Sequence, residues 1–529
     1  MINMKLTFAI AILSTHFLNA CGVQNGGSEI SAAPKVTLPI NSKNCPINLV
    51  CYTMKLPLNY ASTSGKKIPV TFAVHPAQKV RKGALLLVFG GPGDSGVSGL
   101  RDWLPTFDKK LMESYDLVTF DLRGTHRSGN LNCPKAYGDF IFVPTMASSQ
   151  EERAALKAGA AKFAKACPEE MGISAADLPY YNTHEAIHDV NAFREAMGYK
   201  TFTVHAMSYG TQFTQHYATR YPEQLDAIVL DGAVDMNANL LEYEIDLTDA
   251  ENDVLDQSFA ACESDANCSA LFSKRIEPEL NIGAIYDRLR ARLQNGPASV
   301  MVDGKTVQFG LYDFEYTAAN SVGRPESRSD FLRALGAASG PKADFSLMLR
   351  LANGESLAPV KDKTTKAKSK PIDESFAGMS NGIFYAFICN DYGMAETRPA
   401  ERIQSFFDNA RSRESSVRIR NALYGETPCA YWSSTGSNVG ANETHIAASI
   451  PTIVVNSTAD ANVPSKHGFA VADSLENGAL IEVKGGKHIM YGYKVACIDK
   501  PVTNFLLTHK LPENRHIECS DKLIAPIGK

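Results

Sequence analysis

A chain of 529 residues, 44% of them hydrophobic, is long enough for a large buried core with an inserted domain. A net charge of −4 and an isoelectric point near 6.3 leave no basic footprint for nucleic acid. The one basic run, Lys361–Lys370, carries Thr and Ser, ends at Pro371 and reads as a solvated loop.

The chain starts with Lys5, a stretch from Leu6 to Leu18 without acids, Lys or Arg, and then Asn19-Ala20-Cys21. A cation, a short apolar segment and a small residue describe a secretory signal, too short to span a bilayer. Its end resembles a bacterial lipoprotein signal, which makes residues 1–20 the signal and Cys21 the lipidated first residue. That places the protein in the cell envelope, on the periplasmic or outer face, held to the membrane by a lipid anchor. The alternative is an ordinary signal with Cys21 incidental. Residues 21–42, rich in Gly, Ser, Ala and Pro, read as a flexible tether.

Export bears on the cysteines. Of 11, setting Cys21 aside leaves 10, an even number suited to an oxidising compartment. Sequential pairing is expected: Cys45–Cys51, Cys133–Cys167, Cys262–Cys268, Cys389–Cys429 and Cys497–Cys519. A zinc site is the weaker reading, because no C-x-x-C pair is present.

Core strands then alternate with turns. Ala84–Phe89 reads as a buried strand that opens into Gly90-Gly91-Pro92-Gly93, where backbone N–H groups can approach an oxyanion without an intervening Cβ. Leu117–Phe120 is the next strand, with Asp121 and Arg123 expected to form a polar clasp beside the site. Thr183-His184-Glu185-Ala186-Ile187-His188 carries H-E-x-x-H, a zinc-protease pattern on one helix face. It lacks a third ligand at the usual spacing: Glu195 is too close, and His205 lies in the following strand.

That strand, Phe202–Ala206, leads to Ser208 and then to a helix over Gln212–Tyr221. A serine at a strand-to-helix turn, flanked two positions either side by the small residues Ala206 and Gly210, is a nucleophile elbow. Its oxyanion donors would be the N–H of Tyr209 and one from Gly90 or Gly91. Leu225–Asp235 supplies a further strand and turn. Thr452–Asn456 precedes Asp460, and Ala479–Val483 precedes His488. The order Ser208, Asp460, His488 is that of an α/β hydrolase, unlike chymotrypsin or subtilisin.

These stretches together resemble the tripeptidyl/prolyl aminopeptidase group of serine α/β-hydrolases, especially its secreted tripeptidyl branch. The resemblance rests on Gly90-Gly-Pro-Gly-Asp-Ser-Gly96, Asp121-Leu-Arg-Gly124 with Ser128 and Cys133, and Ser208-Tyr-Gly-Thr211 with Tyr217 and Tyr221-Pro222. Leu230-Asp-Gly232, the Asp460 turn with Pro464, and His488 complete it; it runs from about Cys45 to Cys519. Departures are Phe89 for a frequent His, and Ala206, His126 and Lys487 for Gly.

The resemblance implies an α/β fold with a mostly parallel sheet, its core split into residues 43–235 and 446–529 around a mainly helical cap over 236–445. Within the cap, Asn237–Leu271, Pro278–Leu293 and much of Gly310–Leu351 read as helical, Val300–Gln308 as a hairpin about Asp303-Gly304. The segments Gly382–Tyr392 and Cys429–Trp432 return toward the core. The implied activity is an exported serine exopeptidase acting on short peptides without metal or organic cofactor. An aminopeptidase must hold a free α-ammonium, for which Glu244, Asp246, Glu251 and Asp391 are the candidates. A carboxylesterase or lipase with the same triad is the alternative, and a zinc peptidase through His184-Glu185-x-x-His188 a remote one.

Overall fold

The computed structural model describes residues 40 and 45–527, apart from 63, 142, 144–148, 303, 358–377, 393, 395–397 and 434–443. The expected signal, Cys21 and the basic run Lys361–Lys370 lie outside the described residues, as does Asp303 of the expected hairpin turn.

The strands, in chain order, are β1 (Val50–Pro57), β2 (Lys67–His75), β3 (Gly83–Val88), β4 (Tyr115–Phe120), β5 (Phe202–Met207), β6 (Leu225–Asp231), β7 (Ala298–Val302), β8 (Lys305–Phe309), β9 (Thr452–Ser457), β10 (Gly478–Lys484) and β11 (His516–Ser520). Among the described residues nine of them form one sheet, ordered β1-β2-β4-β3-β5-β6-β9-β10-β11. β2 pairs antiparallel with β1 and β4; every later pair is parallel. A parallel sheet is covered on both faces, so its strands carry near-continuous apolar runs. All six residues of β4, β5 and β9 are buried. In β3, Ala84, Leu86 and Val88 pack on one face with the helices Thr183–Ala196 and Tyr209–Arg220, while Leu85 and Leu87 face the side covered by Gly96–Trp103 and Ala496–Thr508.

Between β6 and β9 the chain leaves the sheet. Helices Leu240–Ser264, Ile282–Gln294, Leu311–Ser321 and Pro325–Ser339 surround their own core, which includes Phe259, Tyr286, Phe314 and Phe331. β7 and β8 form the hairpin expected there, one or two residues longer at each end. Two expectations are corrected. The helix after Ser208 begins at Tyr209, not Gln212, because the elbow leads straight into helical backbone. Asp121 and Arg123 do not clasp each other. Asp121 accepts from Ser95 Oγ, the Val97 N–H and Arg127, whereas Arg123 donates to Asp189 and to the carbonyls of Leu58 and Tyr180.

The five expected disulfides join their pairs. Cys389–Cys429 ties the helix Asn381–Asp391 to the turn Thr427–Tyr431. Among the described residues no helix is long and apolar enough to cross a membrane.

Candidate active site

The carboxyl ends of β3, β5, β6 and β9 meet around one cavity of about 590 Å³, lined among others by Gly90, Gly91, Ser208, Tyr209 and His488. Ser208 has φ 57° and ψ −128°, a region a side chain occupies only at a cost of about 1–3 kcal/mol when its surroundings impose it. The surroundings do so. Ser208 N–H donates to the Asp231 carbonyl at 2.9 Å, and its own carbonyl accepts from the Thr211 N–H and hydroxyl. The chain folds back so tightly that a Cβ on Gly210 would sit 2.2 Å from the Val88 carbonyl oxygen, and one on Gly90 2.8 Å from Ser208 Cβ. Tyr209 is the first residue of its helix, so its N–H has no carbonyl within the helix to meet.

His488 Nδ1 and Asp460 Oδ2 are 2.8 Å apart. The other carboxylate oxygen of Asp460 accepts the N–H groups of Asn462 and Val463, which fixes its plane. Burial pulls the imidazole pKa down, but the charge and hydrogen bond of Asp460, with Asp231 behind, outweigh it and leave His488 above its ordinary value. Asp231 also accepts the N–H groups of Met490 and Tyr491, clamping the loop that carries His488. At Gly232 (φ 67°) a Cβ would stand 3.1 Å from His488 Cε1, so the Leu230-Asp231-Gly232 turn leaves room for the ring.

Arg328, reaching in from the cap, is a residue the sequence reading missed. Its buried guanidinium donates to the carbonyls of Val322, Gly486, Leu523 and Ala459. One side chain therefore straps the loop before Asp460 to the loop before His488. Nothing in its sequence neighbourhood distinguishes it from other helical arginines.

The four carboxylates expected to meet a substrate amine separate. Glu244 lines the cavity and is buried. Its Oε1 accepts the Glu426 N–H at 3.1 Å, and its Oε2 has no partner. Glu426, not anticipated from sequence, lines the same cavity and also has a buried, unpartnered Oε2. Burial lifts Glu426 to about 7, while burial and the neighbouring Glu426 push Glu244 well above the usual carboxylate range. Asp246 does not face the cavity: it pairs with Lys466 and with His467 Nε2. Asp391 is spent on Thr183, accepting its N–H at 2.9 Å and its hydroxyl at 2.6 Å. Glu251 lies beyond the lining, on the same helix as Glu244, with burial lifting it to about 8.

The H-E-x-x-H segment is helical, and its side chains are engaged elsewhere. Glu185 accepts the Tyr60 N–H at 2.9 Å, and His188 Nδ1 bonds the Tyr221 hydroxyl. Those contacts belong to a helix packed on the sheet, which disfavours the zinc alternative.

The fold and the serine elbow define a serine hydrolase of the α/β-hydrolase class. Residues 83–260 match the family model described as alpha/beta hydrolase fold, and residues 416–519 the model described as TAP-like protein. The chain is 25% identical over 516 residues to Serine protease Hip1 of Mycobacterium tuberculosis, covering 92% of each. It is 25% identical over 519 residues to the Tripeptidyl aminopeptidase of Streptomyces lividans, covering 93% of this chain and 89% of the relative. The resemblance to the tripeptidyl-aminopeptidase branch is borne out by these matches.

Proposed function

We propose that the protein is an aminopeptidase that removes a short N-terminal fragment from peptides through Ser208, His488 and Asp460. The observation that carries this reading is a cavity holding Ser208 together with two carboxylates, the buried Glu244 and the half-buried Glu426, each with a buried oxygen left without a partner. A substrate α-ammonium satisfies both oxygens and the charge they take on in the ionised state. An acyl chain would leave them unpaired, which disfavours the lipase alternative. The likeness to the tripeptidyl aminopeptidase supports a three-residue step; a single residue or a proline is the other outcome.

In this mechanism Ser208 Oγ attacks the scissile carbonyl while His488 Nε2 takes its proton. Asp460, bonded to Nδ1, holds the tautomer and offsets the imidazolium charge. The developing oxyanion takes hydrogen bonds from the Tyr209 N–H and from Gly90 or Gly91, a donor worth about 3–4 kcal/mol in comparable enzymes. His488 then delivers the proton to the leaving amine, and water, activated by the same base, releases the acyl fragment and restores Ser208.

The test is a panel of free and N-acetylated aminoacyl and tripeptidyl aryl amides, a prolyl amide and a butyrate ester. Cleavage of free-amine peptides much faster than of their N-acetylated forms establishes the aminopeptidase and its step length, whereas ester turnover alone overturns the substrate class. Export with lipidation at Cys21 is proposed on the signal pattern and is compatible with five disulfides. Mass spectrometry of the mature N-terminus decides it, since an unmodified terminus elsewhere removes the anchor.

A further inference from the structure

A second cleft, of about 400 Å³, adjoins the catalytic cavity; Arg324, Asn462, His488 and Ile489 line both. Ser208, Glu244 and Glu426 line the first and not the second. The cleft instead adds Lys487 and Tyr493, and no carboxylate lines it. In the proposed reaction the acyl fragment shares a cavity with the nucleophile and the carboxylates, and the leaving nitrogen receives its proton from His488. The fragment beyond that nitrogen therefore continues past His488, and the cleft that His488 also lines is the adjoining space.

Its charge is opposite to that of the acyl end. Lys487 Nζ stands 3.1 Å from the centroid of the Tyr493 ring, a cation–π contact that holds the ammonium at the cleft wall. Neither Lys487 nor Arg324 has an ion-pair partner among the described residues. Burial pulls the Lys487 pKa down and the Arg324 charge adds to this, against the opposing fields of Glu326 and Asp521. Two neighbouring cations with no ion-pair partner among the described residues make a site for an anion, and the anion that a leaving peptide fragment carries is its C-terminal carboxylate.

We propose that this cleft is the leaving-group site, in which Arg324 and Lys487 bind the C-terminal carboxylate of the departing fragment. Resting on the aminopeptidase reading, this deepens it: the preferred substrate is a short free peptide whose ammonium meets Glu244 and Glu426 and whose carboxylate meets Arg324 and Lys487.

The test compares peptides one and two residues longer than the released fragment, each as free acid and as C-terminal amide, with an aryl amide of the same acyl part. For the wild type we expect kcat/KM about 10- to 100-fold higher for the better free acid than for its amide, the range of a charge-assisted pair. In the double variant Arg324→Gln, Lys487→Gln the acid-to-amide ratio falls to near one. Lys487→Arg keeps a clear preference. The ratio is taken within one protein, so any loss in the shared catalytic step cancels. Equal rates for acid and amide in the wild type, or a preference that survives the double variant, overturn the assignment. If the wild type cleaves no free-amine substrate, the aryl amide included, the aminopeptidase reading fails and the cleft assignment with it; if it cleaves the aryl amide but shows no ratio, only the cleft assignment fails.

Discussion

The loops at the strand ends and the helices above them treat their polar groups in opposite ways. Around Ser208, Asp460 and His488 the groups that position the chemistry are paired. Asp460 has three hydrogen bonds, Asp231 clamps the His488 loop, and Arg328 satisfies four carbonyls. In the cap, Glu244 and Glu426 each hold back a buried oxygen. Pairing makes a site rigid before substrate arrives; withheld pairing is what the proposed substrate ammonium would complete. On the proposed reading one region acts and the other recognises, and substitutions in each should fail differently.

The largest effect breaks the acting region. Ser208→Ala should lower kcat by about 10⁵- to 10⁶-fold on every substrate, and Asp460→Asn by about 10⁴-fold. Neither should alter the ratio of free-amine to N-acetylated rates. A Ser208→Ala enzyme within tenfold of wild type on purified protein would remove the serine mechanism.

A smaller effect sharpens the contrast. Glu244→Gln and Glu426→Gln should each raise KM for free-amine peptides by about 10- to 100-fold while leaving the acylation of N-acetylated substrates close to wild type. If both substrate types lose activity equally, the carboxylates support the fold and do not read the amine.

The regions also separate by pH. His488 must be neutral to take the serine proton, and its pKa is raised, so the acid limb of kcat/KM should lie above the ordinary histidine value of about 6.5. Glu426 must be ionised to attract an ammonium and titrates near 7, which steepens that limb for free-amine substrates alone. Those substrates also lose their ammonium near about 8, closing the profile on the alkaline side. Glu426→Gln should remove its step and make the acid limb for free-amine substrates less steep; a wild-type profile flat down to pH 5 would rule out His488 as the base.

The same division governs how much was legible in the sequence. Strands buried on both faces are written as apolar runs, so β3, β4, β5, β6 and β9 could be read, as could β10, whose burial alternates, and small residues forced by close backbone approach marked Gly90 and Gly210. The antiparallel β1–β2 pair and β11 were not anticipated, since outer strands carry a more broken pattern. Asp121 and Arg123 were expected to form one polar clasp beside the site, yet each turns to a different segment. Recognition was harder still. Glu244 and Glu426 meet across 182 residues of sequence, and no local periodicity registers that a glutamate will be buried by a distant helix.

The finest break is one of stability. Glu426 titrates near 7 in the folded protein, against about 4.3 in an unfolded chain. With the folded pKa raised, the unfolded state loses its proton first, so folding stability declines as pH rises from about 4.3 and levels off beyond 7. An ionised, unpartnered carboxylate is thus held in the cap at a cost that the proposed substrate ammonium would relieve. Glu426→Gln removes the ionisation and should raise stability at pH 8 by about 2 kcal/mol, with no gain at pH 4, even as free-amine substrates bind worse. Thermal unfolding of both proteins at the two pH values measures this. A variant less stable than wild type at pH 8 would mean the carboxylate is already satisfied in the free enzyme, and the cap would then have no unpaired charge to offer an amine.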